Sequence, residues 1–313
     1  MTGTSWSSST LPNRESLAGK TLLVDSSSLI YRAFFSTPVT VKAPDGRQVN
    51  AAHGFINMLA RLIQDRKPKF LACCSDEDWR PAWRVKLIAS YKTHRLNLPA
   101  NPELDHQIPL VFDLLTKCGL AVVGKPEYEA EDVIGAIAPK CEGDVEIVSG
   151  DRDLFQLVRD GKVVVLYPKR GVSDLVSVDE KYIEEKYGIP GQAYGDFAIL
   201  RGDASDGLPG VAGIGEKTAS QFIAKYGSLE KVIEAAVTSD IGGPLAKVRS
   251  SIDYLDRAAQ VVLISPDVEV PDTDLRLPSN GPNPSVFAEA DRHGLANAIS
   301  RLAEAIRRLQ KQA

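Results

Sequence analysis

A chain of 313 residues with 43% hydrophobic and 25% charged side chains can bury a sizeable core, as one large domain or a domain with a smaller companion, and is not a disordered polymer. No apolar run approaches the ~18–20 residues that cross a bilayer, and Cys73, Cys74, Cys118, Cys141 and four histidines form no CxxC and no zinc spacing, which excludes a membrane protein, a disulfide scaffold and a conventional zinc site. The net charge of −4, from 37 basic and 41 acidic residues, argues on totals against a nucleic-acid partner. Residues 1–17 are Ser/Thr-rich, without periodicity or a hydrophobic segment, and predict a mobile tail rather than a signal peptide, while the scattered cysteines favour a reducing cytoplasm. Thr21 to Val24 is a buried-strand run ending at Asp25, followed by a helix with Leu29, Ile30, Phe34 and Phe35 facing inward. Ala52 to Arg66 reads as a helix, Phe70 to Cys74 as a strand, and Glu103 to Cys118 as a helix that Pro109 kinks unless it lies in the first turn. Leu120 to Val123 is a third strand, Glu129 to Lys140 a helix, Val145 to Val148 a fourth strand and Lys162 to Tyr167 a fifth. This alternation predicts an α/β fold with a mainly parallel sheet over residues 18–189. Beyond Asp179 short helices separated by Gly and Pro predict a helical subdomain over about 190–270, then a proline-rich linker and a C-terminal helix over 271–313.

The distribution of charge points the other way from the totals. No acidic residue lies between Asp78 and Glu103, a stretch that carries Arg80, Arg84, Lys86, Lys92, His94 and Arg95 interleaved with Trp79, Trp83 and Tyr91. Cations beside aromatic rings suit a phosphate backbone and unstacked bases, although a solvated basic face is the commoner use of such a run. The acids collect elsewhere. Asp25 ends the first strand, Asp76 follows the second, Glu129, Glu131 and Asp132 open the helix after the third, and Asp151 and Asp153 follow the fourth. Parallel strands point these ends to one side, into the crevice where open α/β sheets bind ligands. Asp203 and Asp206, from a Gly-rich loop, can fold over the same mouth.

Two like charges about 4 Å apart repel by about 4 kcal/mol at an effective dielectric of about 20. Several such pairs outweigh a stability of roughly 5–15 kcal/mol. The carboxylates therefore diverge, take up protons or meet cations. A purely oxygen donor set selects hard ions, Mg²⁺ or Mn²⁺. Its size suits two of them about 3.5–4 Å apart, an arrangement that serves phosphodiester hydrolysis. Local capping by aspartate accounts for Asp25 or Asp151 alone but poorly for the whole set.

Gly210 to Thr218 nearly spells a P-loop, but Glu216 intervenes before Lys217-Thr218 and no apolar strand precedes it. The better reading is a tight hairpin at Gly213-Ile214-Gly215 between two short helices. There backbone N–H groups, Lys217 and Thr218 hold a duplex phosphate without base specificity.

Val24 to Phe34, Tyr91 to Arg95, Tyr128 to Gly135, Ser149 to Leu154 and Gly202 to Thr218 together resemble the 5′-nuclease or flap endonuclease family, nearest the bacterial 5′-3′ exonucleases that also form the N-terminal domain of DNA polymerase I. The resemblance implies a PIN-like core, a helical arch near residues 80–100 and a helix-three-turn-helix DNA-binding subdomain. It implies that Asp25, Asp76, Glu129, Glu131 and Asp132 serve one divalent cation and Asp151, Asp153, Asp203 and Asp206 a second. Arg84, Lys92 and Arg95 would neutralise the scissile phosphate or guide a 5′ single strand, Tyr91 would stack on a base, and Arg32 would contact a phosphate. It further implies a K⁺ at the hairpin turn around Gly213 and Gly215. The substrate would be branched or nicked DNA with a 5′ single strand, in functional partnership with DNA polymerase and ligase and away from any membrane. A PIN-like ribonuclease and a non-catalytic branched-DNA-binding protein are the rival readings. The chain departs from the family pattern with Glu131 in place of an Asp, with Gly207 in place of an Asn, and with Cys74-Ser75-Asp76-Glu77-Asp78 after the second strand, which leaves Asp78 as an alternative to Asp76.

Overall fold

The computed structural model describes residues 19–97, 101–238, 242–279 and 281–311; the expected tail, residues 1–17, lies outside the described residues. In chain order the elements are β1 (Thr21–Asp25), α1 (Ser26–Ser36), α2 (Asn50–Arg66), β2 (Phe70–Cys74), α3 (Ala82–Leu87), α4 (Pro102–Asp105), α5 (Gln107–Lys117), β3 (Ala121–Val123), α6 (Ala130–Ile137), β4 (Val145–Val148), β5 (Val163–Pro168), β6 (Leu175–Val178), α7 (Glu180–Tyr187), α8 (Tyr194–Arg201), α9 (Glu216–Tyr226), α10 (Leu229–Thr238), α11 (Pro244–Arg249), α12 (Ile252–Val262), α13 (Ser285–Arg292) and α14 (Ala296–Gln310). Short 3₁₀ turns cover Thr93–Asn97 and Asp153–Leu157.

The strands form one sheet in the order β3-β2-β1-β4-β5-β6, parallel from β3 to β5 and antiparallel only at β6. β1, β2 and β4 are buried along their whole length, because helices cover both faces; this is why they read as continuous apolar runs rather than as alternation. Register sets the ends of the central strands level: Asp25 pairs with Cys74, Cys74 with Val123, and Val24 with Val148. The order reverses at β1, so chain leaves β1 and β4 in opposite directions and opens a crevice between their carboxyl ends. β6 escapes the sequence reading because its four residues are an edge strand with three of them only partly buried or exposed.

One face of the sheet packs α1, α2, α5, α13 and α14. The other packs α6, the 153–157 turn and α7 to α12. The helix expected over Glu103–Cys118 is broken into α4 and α5, and Pro109 is the third residue of α5, where its missing N–H costs no intrahelical bond. Phe35 departs from expectation. Leu29, Ile30 and Ala33 form the inner stripe of α1, while Phe35 is 67% and Tyr31 53% exposed on the opposite side. The C-terminal segment is part of the core. Leu71 N donates to Leu275 O at 2.7 Å, and α14 buries Ile299, Leu302 and Ile306 against α2.

Candidate metal centre

The switch point between β1 and β4 gathers the acids. Asp25 ends β1 and caps α1: its Oδ1 accepts from Ser28 N at 3.0 Å, and its Oδ2 accepts from Ser149 Oγ, just beyond β4, at 2.5 Å. Asp76 lies past β2. Its N–H donates to Ser27 Oγ at 3.1 Å and its Oδ1 accepts from Ala130 N, in the first turn of α6, at 2.8 Å. Asp78 instead accepts from Arg80 N at 2.9 Å, a local turn, so Asp76 is the one of the two that the fold turns toward α6. Glu129, Glu131 and Asp132 are buried at the start of α6, where Asp132 Oδ2 accepts from Glu129 N at 3.1 Å. Asp151 Oδ1 accepts from Asp153 N at 2.9 Å. Glu131, Asp151 and Asp153 each bring one oxygen within 4.8 Å of the others.

Asp206 joins from the loop after α8, where Lys92 N donates to its backbone carbonyl at 2.8 Å. Asp203 is turned locally: its Oδ1 accepts from Ser205 N at 2.8 Å and its Oδ2 from Arg201 Nη2 at 3.2 Å. Gly207 has φ +71, and a Cβ there would lie 2.3 Å from Ser90 O. Only glycine lets this loop approach the 88–92 backbone so closely.

Burial without enough countercharge shows in the titration of these groups. Asp25 is pushed up to about 7 by burial and then by Asp76. Burial raises Asp76 as well, with Glu129 adding to it, and holds Asp153 well above the usual carboxylate range, with Asp151, Asp206 and Asp203 adding to it. Burial raises Glu131 strongly and Asp132 less, both against the pull of Arg84. Asp206 is pushed up to about 6 by burial, with Lys92 opposing. Crowded carboxyls that prefer protons in the absence of a cation, with Glu131, Asp151 and Asp153 converging as an all-oxygen set, fit a hard divalent ion.

The basic segment expected as an arch forms α3 and the 93–97 turn, lies across this mouth and packs on α12. Arg84, 1% exposed, binds Glu129, reaches Asp132 at 2.8 Å and Glu131 at 3.2 Å. Lys92 binds Glu129 and lies 3.9 Å from Asp206; its φ of +48 is a left-handed conformation held by that backbone bond to Asp206. Arg95 Nη2 is 3.1 Å from Asp206. Tyr91, expected to stack on a base, is 1% exposed and donates its hydroxyl to Glu129, between Arg84 and Lys92. Arg32 approaches the mouth from α1: a Cβ at Gly150 would lie 3.5 Å from its Nη2, and its Nε is buried with no hydrogen-bond partner.

Gly213, Gly215 and Lys217 are exposed and Thr218 half-exposed at the N-terminus of α9, which Arg201 links to the acidic loop by lying 4.0 Å from Glu216 and 3.2 Å from Asp203. Lys247 Nζ sits 3.4 Å from Gly213 O there, a cation that sequence reading misses. It also misses the serines that aim Asp25 and Asp76, and the exposed ring pair Tyr31–Phe35, 4.8 Å between centroids. Tyr31 and Phe35 are four apart, opposite Leu29, Ile30 and Ala33, so helical spacing alone carries that signal.

Two family models together match residues 20–284: "5′-3′ exonuclease, N-terminal resolvase-like domain" over residues 20–188 and "5′-3′ exonuclease, C-terminal SAM fold" over residues 189–284. The chain belongs to the 5′-3′ exonuclease family. A Streptomyces coelicolor protein named 5′-3′ exonuclease is 46% identical over 297 residues, covering 90% of this chain and 98% of that one. One of the same name from Mycobacterium tuberculosis is 41% identical over 309 residues, covering 91% and 97%. DNA polymerase I of Mycobacterium bovis is 38% identical over 272 residues, which is 85% of this chain but 30% of the polymerase. Among solved structures, the bacteriophage T5 flap endonuclease in a complex with DNA and metal ions matches with a TM-score of 0.63 at 16% identity, covering 94% of the exonuclease and all of the phage chain (100%). A T5 5′-exonuclease with bound zinc matches at a TM-score of 0.62 and 16% identity, covering 93% and 99%. These likenesses fix the fold of the exonuclease, a resolvase-like, mostly parallel sheet domain joined to a helical SAM-fold domain. Helices α13 and α14 extend past the matched residues. Among the described residues no helix is long and apolar enough to cross a membrane.

Proposed function

We propose that this exonuclease is a divalent-cation-dependent phosphodiesterase that removes 5′ ends or flaps from branched or nicked DNA. The observation that carries the reading is the convergence of Glu131, Asp151 and Asp153 within 4.8 Å at the switch point, under a lid of Arg84 and Lys92. Glu131, Asp151, Asp153 and the carboxyls of Asp25, Asp76, Glu129, Asp132, Asp203 and Asp206 would hold two cations, Mg²⁺ or Mn²⁺. When bound, these supply Lewis-acid polarisation of the phosphate and activation of water. The chain's own residues do the rest. Ser149 and Ser28 fix the Asp25 carboxyl, and the α6 N-terminus fixes Asp76. Arg84 and Lys92, held protonated against burial by the carboxyls around them, place positive charge where a scissile phosphate enters. Arg32 and Arg95 would flank that entry.

Two surfaces would seat the duplex. The exposed N-terminus of α9, with Gly213, Gly215, Lys217, Thr218 and Lys247, suits a backbone phosphate. The Tyr31–Phe35 face offers stacking surface beside Arg32. A K⁺ at the hairpin turn would have to share the Gly213 carbonyl with the Lys247 ammonium, so the turn carries a cation with or without it. We place the activity in the cytoplasm, where the four buried thiols stay reduced, and in partnership with DNA polymerase and ligase.

A 5′-flap substrate assayed with Mg²⁺ and Mn²⁺ titrated against a chelator tests the proposal. Cleavage of flap DNA over RNA that vanishes with the chelator is expected. Binding of flaps without cutting in either metal would select the binding-module reading, and preferential RNA cleavage the ribonuclease.

A further inference from the structure

Arg201, the last residue of α8, stands between the acidic 203–206 loop and the N-terminus of α9. Its guanidinium lies over the Phe197 ring at 4.9 Å, with the side chain 16% exposed. Each of its nitrogens faces a different acceptor. Nε donates to Gly202 O at 3.0 Å, Nη2 donates to Asp203 Oδ2 at 3.2 Å, and Nη1 lies 4.0 Å from Glu216 Oε2. The third contact is the loosest, and the Glu216 side chain is 61% exposed, next in the chain to Lys217.

The backbone around this arginine is pinned, so a side chain must carry any change between its two ends. A Cβ at Gly210 would lie 2.5 Å from the Arg201 carbonyl carbon, and Gly210 N donates to the Tyr254 hydroxyl at 2.9 Å. Asp203 and Leu208 exchange both backbone bonds, at 2.9 and 2.8 Å. The Asp203 carboxylate is spent locally: Oδ1 accepts from Ser205 N and Oδ2 from Arg201, although Asp206, three residues on, is buried at the mouth. While Arg201 holds Oδ2, the charge of Asp203 is already balanced, and a divalent ion gains less from it. A duplex phosphate seated at α9 adds negative charge on the Glu216 side of the guanidinium. The planar fork pairs with carboxylate and phosphate alike, so the added charge competes with Asp203 for it.

We propose that Arg201 is a positioning residue that ties occupancy of the α9 N-terminus to the Asp203 carboxylate: a phosphate there draws the guanidinium toward Glu216 and leaves Asp203 Oδ2 for the cation mouth. The inference rests on the cation-dependent, duplex-seating function proposed above and adds regulation to it, since a seated duplex strengthens cation binding. Linkage makes the effect reciprocal, so the cation tightens duplex binding by the same factor.

The test is fluorescence anisotropy of a labelled closed dumbbell duplex, which has no 5′ end or flap to cut, in Mg²⁺ and in chelator at matched ionic strength. The readout is the ratio of the Kd in chelator to the Kd in Mg²⁺. That ratio in the wild-type chain should exceed the ratio in Arg201→Met by about 5-fold, the low end of typical couplings between sites. Glu216→Gln alters an exposed side chain and spares the fold. It should bind the dumbbell more tightly in chelator, because a repelling charge is gone, yet lose the same part of the ratio. An arginine that only supports the loop, or only touches the phosphate, would shift both Kd values together and leave the ratio as in the wild type. That result in either variant overturns the proposal, and Glu216→Gln decides alone if Arg201→Met does not fold. Flap cleavage by the wild type in Mg²⁺ separates the failures: with cleavage, unchanged ratios refute the relay alone, and without it the nuclease reading fails as well.

Discussion

Asp151 has both neighbours that matter within reach, Glu131 and Asp153, and its carboxyl also holds the Asp153 backbone in place. Asp151→Asn keeps that backbone bond and removes the charge. Activity should fall by on the order of 100-fold or more, since even outer partners of metal ligands cost 10–100-fold, with little change in thermal stability. Unaltered activity would remove Asp151 from the centre. Protonation gives a second check. Asp25, raised to about 7, and Asp206, raised to about 6, keep protons in the fold that an unfolded chain releases near pH ~4. Their contribution to cation-free stability therefore declines as pH climbs from about 4 to about 7 and is flat beyond. A divalent ion displaces those protons, so the rise in Tm on adding Mg²⁺ to chelated protein should be larger at pH 8 than at pH 5. An equal rise at both values would dissociate these carboxyls from the ion. Of the acids, those at strand ends are readable from sequence because a parallel sheet leaves them one direction to face. Tyr91 is not readable: its ring looks like a stacking platform until Arg84 and Lys92 are seen on either side of it, drawn by the carboxyls beneath.

At the level of elements, α9 offers an exposed N-terminus proposed to seat a duplex, while α14 is a buried support for α2. Lys217 and Lys247 flank the glycines at the α9 N-terminus, and each replaced by Ala should weaken duplex binding for every sequence alike and lower the salt slope by about 1. A change in base preference instead would contradict backbone-only contact. In α14, Leu302 is fully buried on α2, so Leu302→Ala should cost about 2–5 kcal/mol in denaturant melts. A loss under about 1 kcal/mol would make the helix an appendage after all, since truncating a fully buried leucine costs more than that. From sequence this region reads as a linker and a tail, because prolines from 266 to 284 announce a loop. They do, but a loop whose Leu275 fills a backbone bond to β2 and delivers α14 to the core. Likewise the inner edge of α1 does not extend to Phe35 as its spacing suggests. An eleven-residue helix seated on one side of a sheet buries a stripe of Leu29, Ile30 and Ala33, and the residue two positions past that stripe turns to solvent.

Across the whole molecule, a sequence with a small negative net charge hides a sharp segregation. Acids line the carboxyl ends of the sheet, while the 80–97 segment and the α9 turn carry cations. The alternation of strands and helices makes the architecture legible, since few topologies satisfy it. The antiparallel β6 and the closeness of the 88–92 backbone to the 203–207 loop are not legible, because they depend on contacts between segments distant in the chain. Gly207→Asn, the residue the family pattern expects, tests that closeness. Its side chain would press on Ser90 O and should lower cleavage while duplex binding through α9 persists. Cleavage at the wild-type rate would show that the two segments separate freely.

The bond from Lys92 N to Asp206 O has a mechanical meaning. One peptide strap crosses the carboxyl mouth, the other runs on into α9, proposed above to seat duplex DNA, and they are buttoned together by this bond and by Arg95, which reaches Ser205 O and the Asp206 carboxylate. On that proposal, a pull on a strand at the mouth would be felt at α9, and seating a duplex on α9 would tauten the strap across the mouth.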